Sequence, residues 1–205
     1  MSRIPVVVKV LYLLWLAVWV PVYWQHNGVV NFLWFCDLAN FLVGLGLVLE
    51  SSLLLSSQAV GVLLIQVVWV FDFAGRLLFG RHPLGATRYM FELDTPLFVR
   101  LFSLFHVVMP VLLLWGLKRL GYNPGAFRLQ TAIAWVVLPL SFWLGEPAAN
   151  LNWLYRPFEQ PQPWLPPTLY LLFCMAAYPA LLFWPSHQVL RRLFPASAAA
   201  ASPGT

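Results

Sequence analysis

Two ionisable side chains lie at matching depth inside apolar stretches of this chain: Cys36 in the second stretch and His106 in the fourth. Each stands roughly seven to nine residues from the start of its stretch, about 10–14 Å at the helical rise. Even-numbered spans cross in the same direction, so both groups face the same leaflet at the same level. A thiol beside an imidazole suits acyl chemistry, in which the sulfur attacks and the ring nitrogen takes its proton. Histidine is fitted to that role because its ordinary pKa lets it exchange protons near neutrality. Two plainer roles compete. A membrane cysteine is often a small buried hydrophobe, and a membrane histidine often hydrogen-bonds a neighbouring helix as glue.

The elements that must carry this pair are read from composition. The chain has 205 residues, of which 61% are hydrophobic and 9% charged, too apolar for a soluble domain. Apolar runs cover 4–24, 29–49, 53–73, 97–117, 129–144 and 165–184. Runs near 20 residues match a hydrocarbon core of about 30 Å, and only the fifth is short. The expected fold is all-α, a polytopic membrane bundle of about six transmembrane helices in a single domain over 1–194. The segment 195–205, rich in Ala, Ser and Pro, reads as a disordered tail. The first run has no small-residue cleavage pattern after its apolar stretch and reads as a retained helix.

Counting basic residues sets the orientation. With the N-terminus inside, the inner face carries Arg3, Lys9, Lys118, Arg119, Arg128, Arg191 and Arg192, and the outer face carries Arg76, Arg81, Arg88, Arg100 and Arg156. Three of the outer five fall in one loop, 74–96, which also holds Glu92 and Asp94. If that loop serves function rather than topology, the bias favours both termini on the cytoplasmic side. Few cysteines and no targeting signal suit a multi-pass protein of a bacterial inner membrane. The face reached after the first span, here side B, then collects Cys36, Asp37, Asn40, Asp72, His106 and the turn 150–155. The opposite face, side A, offers Glu50, Gln58 and a basic cluster.

Within the spans, Cys36 and Asn40 share one helix face, as do Asp37, Asn40 and Gly44. A carboxylate at Asp37 is costly in hydrocarbon, so it faces the bundle interior or a polar cavity, serving either function or a structural network. Arg100, Ser103, His106 and Pro110 follow a 3-3-4 spacing that makes one polar face, with Pro110 freeing a carbonyl and kinking the helix. Asp72 either pairs with Arg76 one turn on, or orients His106 as a third triad member. Asn152 and Tyr155 lie in an aromatic, polar turn that is either interfacial and turn-forming or a lid supplying donors to a developing oxyanion. The small-xxx-small pair Ser57 and Gly61 marks close helix packing.

No metal centre is expected, because His82 and His187 sit in loops or ends and no His-x-x-His or Glu-x-x-His pairing occurs. No nucleotide or Gly-x-Ser-x-Gly signature is present, and no cofactor is read. The net charge of +5 does not point to nucleic acid, since there is no basic stripe. The tryptophans, among them Trp15, Trp19, Trp24, Trp34, Trp115 and Trp184, suit interfacial belts, and the expected partners are membrane lipids. A disulfide between Cys36 and Cys174 would need close Cα approach within the bilayer and is not expected.

Four segments carry a family resemblance: Phe35-Cys36-Asp37-Leu38-Ala39, Phe102-Ser103-Leu104-Phe105-His106, Lys118-Arg119-Leu120-Gly121-Tyr122-Asn123-Pro124, and Asn152-Trp153-Leu154-Tyr155-Arg156-Pro157. In that order they resemble bacterial integral membrane proteins related to the eukaryotic acyltransferase that moves acyl chains between ether phospholipids. That group is similar in turn to membrane hydrolases of branched fatty-acid esters, which use a Thr/His pair. The chain departs from its relatives in the Asp37 that follows Cys36 and in the charged loop 74–96. The resemblance implies Cys36 as the acyl-accepting nucleophile and His106 as its base. With that resemblance the leading reading is an acyltransferase or acyl-ester hydrolase, with Asp37 or Asp72 orienting the imidazole. In that reading Asn40, Ser103, Asn152, Tyr155 and Arg100 bind substrate. Two rivals stand beside it: a small-solute or proton-coupled transporter lined by Asp37, Asp72 and Arg100, and a non-catalytic assembly subunit.

Overall fold

The computed structural model describes residues 3–196. Among them there is no named strand, and the chain is a polytopic helical bundle. Helix α1 (Val6–Asn27) ends at Gly28, whose φ of 77° is open to glycine at little cost. A short 3-10 turn follows over Val29–Leu33, and α2 spans Phe35–Val48. Helix α3 (Ser52–Phe79) starts where the Ser51 hydroxyl accepts the Leu54 N–H at 3.2 Å. The next crossing is split into α4 (Leu97–Phe102) and α5 (Phe105–Leu120), followed by α6 (Ala126–Leu144). The last crossing comprises α7 (Pro167–Ala177), a π segment (Tyr178–Phe183) and α8 (Trp184–Leu193).

Five of the crossings are long and apolar enough to span a bilayer: Val6–Asn27, Ser52–Phe79, Leu97–Leu120, Ala126–Leu144 and Pro167–Leu193. The sixth is the 14-residue α2, lengthened on side B by its 3-10 turn. Sequence reading places its doubt on the fifth run, but that run makes a 19-residue helix. The interrupted one is the second, because Trp34 takes an extended conformation (φ −58°, ψ 133°) that no helix continues through. The fourth crossing also bends away from the expected place. Its break lies at Ser103–Leu104, with tight i to i−3 bonds, while α5 runs on through Pro110.

Helix α3 is the central post and packs against α2, α5, α6 and α8. Close approach there needs small residues: Gly61 lies against the Gln130 side chain and Gly46 against Leu54 and Leu55. Helix α1 stands at the rim against α2 and α4, burying chiefly Trp19 and Tyr23. Trp19 is therefore not an interfacial anchor. It is fully buried among Trp15, Phe32, Phe41 and Phe105. On side A, Lys9 bonds Glu50 at 2.7 Å and the Arg3 N–H donates to the same carboxylate at 2.9 Å. The Tyr122 N–H donates to the Pro195 carbonyl at 2.8 Å, so both described ends lie on one face. Pro195 and Ala196, which begin the segment read as a disordered tail, are held by that bond; the rest of that segment lies outside the described residues.

The side-B end is tied by one side chain. Asn152 accepts the Phe35 N–H at 3.0 Å, which caps the start of α2, and donates to the Leu33 carbonyl at 2.8 Å and to Ser141 Oγ at 3.0 Å. Its own carbonyl accepts the Tyr178 hydroxyl at 2.7 Å. Buried polar groups in an apolar setting are costly unless paired, so this residue joins α2, α6 and the π segment. Asn152→Asp keeps the acceptor and removes both amide donors. The expected loss is about 1–3 kcal/mol, read as a lower melting temperature in detergent, with Ser141→Ala losing less. An unchanged melting temperature for Asn152→Asp would show that these bonds do not hold the bundle.

Candidate functional site

The polar residues of the side-B half gather around the break between α4 and α5. At that break the Ser103 carbonyl accepts both the His106 N–H at 3.1 Å and the His106 Nδ1–H at 2.8 Å. A carbonyl can only accept, so Nδ1 carries the proton and Nε2 of the neutral ring keeps its lone pair. The ring is clamped between Trp69 of α3, at 4.6 Å and 11°, and its neighbour Phe105, at 4.1 Å and 24°. His106 is buried, and its orientation is set by backbone and stacking rather than by a carboxylate.

Around it runs a chain of hydroxyls. The Tyr23 hydroxyl of α1 lies 2.6 Å from Ser103 Oγ. Tyr89, from the loop between α3 and α4, lies beside the same serine and accepts the Trp69 Nε1–H at 3.1 Å. Asp37 is buried on the first turn of α2 and accepts the Asn31 amide at 2.6 Å. Its carboxyl lies within electrostatic reach of Cys36, Tyr23 and Tyr89. Cys36 is a buried free thiol at the second residue of α2, next in sequence to the Asp37 carboxyl. Among the described residues no hydrogen bond joins its sulfur to His106. Cys174 is likewise a free thiol.

Cys36, Asp37, Ser103 and His106 thus lie in the side-B half of the bundle, and the side chains of the other expected site residues are bonded as follows. Asp72 does not orient His106, nor does it bond Arg76. Its two oxygens accept the N–H groups of Leu84 (2.6 Å), Gly85 (3.0 Å) and Thr87 (2.8 Å) and the Thr87 hydroxyl (2.7 Å). It anchors the charged loop to the end of α3, and Arg76 instead reaches the Gly80 carbonyl. Asn152 has both amide donors engaged and has none left for an oxyanion. The Tyr155 hydroxyl donates to the Phe142 carbonyl at 3.1 Å, and burial raises its phenol above the ordinary value, so it stays a protonated donor to the backbone. Asn40 turns back to the Cys36 carbonyl at 3.1 Å and lies beside the Tyr12 hydroxyl. Arg100 donates to the Met90 carbonyl at 2.8 Å, under the loop that bears Tyr89.

Sequence reading overlooks Tyr23, Trp69 and Tyr89. Tyr23 and Trp69 were findable by the same depth argument that pairs Cys36 with His106, because both fall in the side-B part of their spans. Tyr89 had no such signal, since it sits in a loop whose fold depends on Asp72. Beside the cluster, an apolar groove of about 630 Å³ runs between α1 and α4–α5, lined by Tyr12, Trp15, Asn40, Phe102, Phe105 and Met109 among others. Phe105 divides this groove from the His106 ring.

No family model, curated protein or solved structure matches this chain. The carboxylate of Asp72 offers a direct check of how the cluster is roofed. Asp72→Asn leaves one acceptor oxygen in place of two and removes the charge that strengthens four bonds. Trypsin should then cut at Arg81 or Arg88 roughly tenfold faster or more, followed by gel or mass spectrometry in detergent. Equal cleavage rates would mean that the loop is held by something else.

Proposed function

We propose that this protein is a membrane-embedded acyl-transfer enzyme, an acyltransferase or acyl-ester hydrolase, in which Cys36 is the nucleophile and His106 its base. The observation that carries this reading is the way His106 is held. Its Nδ1–H is committed to the Ser103 carbonyl and its faces to Trp69 and Phe105, leaving Nε2 free as a proton acceptor in the polar cluster that contains Cys36. A general base needs such fixed orientation and the correct tautomer before it needs a tuned pKa. The groove beside Phe105, apolar enough for an acyl chain, supports it. So does the resemblance to bacterial relatives of the ether-phospholipid acyltransferase, in which these two positions correspond to nucleophile and base. A bacterial inner membrane with cytoplasmic termini fits the same reading.

In the first step the Cys36 sulfur attacks the carbonyl carbon of an acyl ester as His106 Nε2 takes the thiol proton. The ester C–O bond breaks, His106 returns the proton to the departing alkoxide, and the acyl group remains as a thioester on Cys36. Water or a second hydroxyl compound, deprotonated by His106, then attacks the thioester and restores the thiol. With Asn152 and Tyr155 bonded elsewhere, the hydroxyl chain around Ser103, including Tyr23 and Tyr89, is the cluster's source of O–H donors for the developing oxyanion, one bond within that chain being exchanged for the new one.

The test is a covalent intermediate. The purified protein is incubated in bilayers with a phospholipid whose acyl chain carries an alkyne, and the tag is sought on the protein. The expected result is a hydroxylamine-labile tag on Cys36, absent in Cys36→Ala and formed at least about a hundredfold more slowly in His106→Ala. A tag that persists in Cys36→Ala, or none on the wild-type chain with any ester tried, removes the proposal.

A further inference from the structure

We infer that Arg100 is the anion-binding residue of this site and selects an acyl substrate with a negatively charged headgroup. The inference rests on the acyl-transfer reading only in identifying the anion as part of the substrate.

The argument starts from charge. Arg100 lies on α4 at the side-B boundary, one turn before Ser103 and beneath the loop that bears Tyr89. A guanidinium remains protonated at any physiological pH, and a cation in such surroundings is costly without a counter-ion. The seven carboxylates of the chain do not supply one. Glu50 is bonded to Lys9, Glu159 to Arg156, Asp72 to the loop and Asp37 to Asn31. Glu92, Asp94 and Glu146 are exposed, and none of them pairs with Arg100.

Geometry then narrows what fits. Nη1 of Arg100 is spent on the Met90 carbonyl, which fixes the guanidinium plane. Nε is buried and has no partner among the described residues. No bond to them is made by Nη2 either. The unpartnered edge is therefore the one formed by Nε–H and Nη2–H, two parallel donors that match two oxygens of a phosphate or carboxylate. A buried Nε–H left unpaired is the sort of orphan that a ligand satisfies. Its position at the outer end of the Ser103–His106 face places an anionic head at the membrane boundary and the acyl linkage deeper.

The expectation is tested by binding, with turnover removed. Wild-type and Cys36→Ala proteins in neutral detergent are titrated with dioleoyl phosphatidic acid, oleate, dioleoylglycerol and inorganic phosphate, and thermal stabilisation is followed. An anionic amphiphile should stabilise both proteins, with dioleoylglycerol much weaker. Arg100→Gln should bind it roughly ten- to a hundredfold less tightly, and Arg100→Lys should recover part of the loss because it keeps the charge without the fork. Preference for phosphatidic acid or for oleate assigns the head as phosphate or carboxylate, and inorganic phosphate acting alone assigns a soluble source to the same site. Stabilisation by dioleoylglycerol equal to that by the anions overturns the inference. Undiminished anion affinity in Arg100→Gln also overturns it, or in Arg100→Lys should the glutamine variant not fold. Because Cys36→Ala is measured in parallel, loss of anion binding is read separately from loss of acyl transfer.

Discussion

In hydrocarbon no water is at hand to satisfy a broken helix, and this bundle has breaks in two of its crossings. Each unpaired N–H or carbonyl there would cost several kcal/mol, so every interruption must bring its own partner. At the start of α2 the partner is Asn152, from more than a hundred residues away in the chain. At the Ser103–Leu104 break it is local, since the tight turn bonds within itself and then lends its carbonyl to an imidazole. The same requirement explains why Asn150 and Asn152 adopt left-handed backbone conformations, with φ of 48° and 49°. Asparagine tolerates that region, and here its side chain repairs backbone elsewhere.

One of these repairs also sets the tautomer of an imidazole. The turn at Ser103 is at once a structural joint and the device that selects the protonated nitrogen of His106. A carboxylate usually does that work in a triad. A carbonyl does it here, which leaves Asp72 free to hold the charged loop. That loop in turn presents Tyr89 to Trp69 and the Met90 carbonyl to Arg100. The charged loop 74–96 is thus a roof over the cluster, held at its start by the Asp72 carboxyl group.

Much of the architecture was legible from the sequence. Apolar runs of bilayer length count the crossings, and their alternation puts Cys36, Asp37, Ser103 and His106 on one side, as the helices do. What hid in the sequence was the destination of side chains able to bond in several ways. Asn152 and Tyr155 have the right groups for an oxyanion, yet nothing in their spacing says that Leu33, Ser141 and Phe142 claim them first. Helix periodicity placed Arg100, Ser103, His106 and Pro110 on one straight face, and the break at Ser103 was not visible because neither Ser103 nor Leu104 is a helix breaker. Trp19 misled for a related reason. Interfacial preference is an average over tryptophans, whereas packing in the α1 rim decides each one.

The two stabilising side chains of side B differ in how far along the chain they reach. Asp72 meets its partners 12 to 15 residues later, so its loop can close soon after the third span is made. Asn152 meets Phe35 across 117 positions. A ribosome feeding this chain into a membrane must therefore synthesise three further spans before the beginning of the second is sealed. Until then the nascent bundle carries an open seam at Leu33 and Phe35.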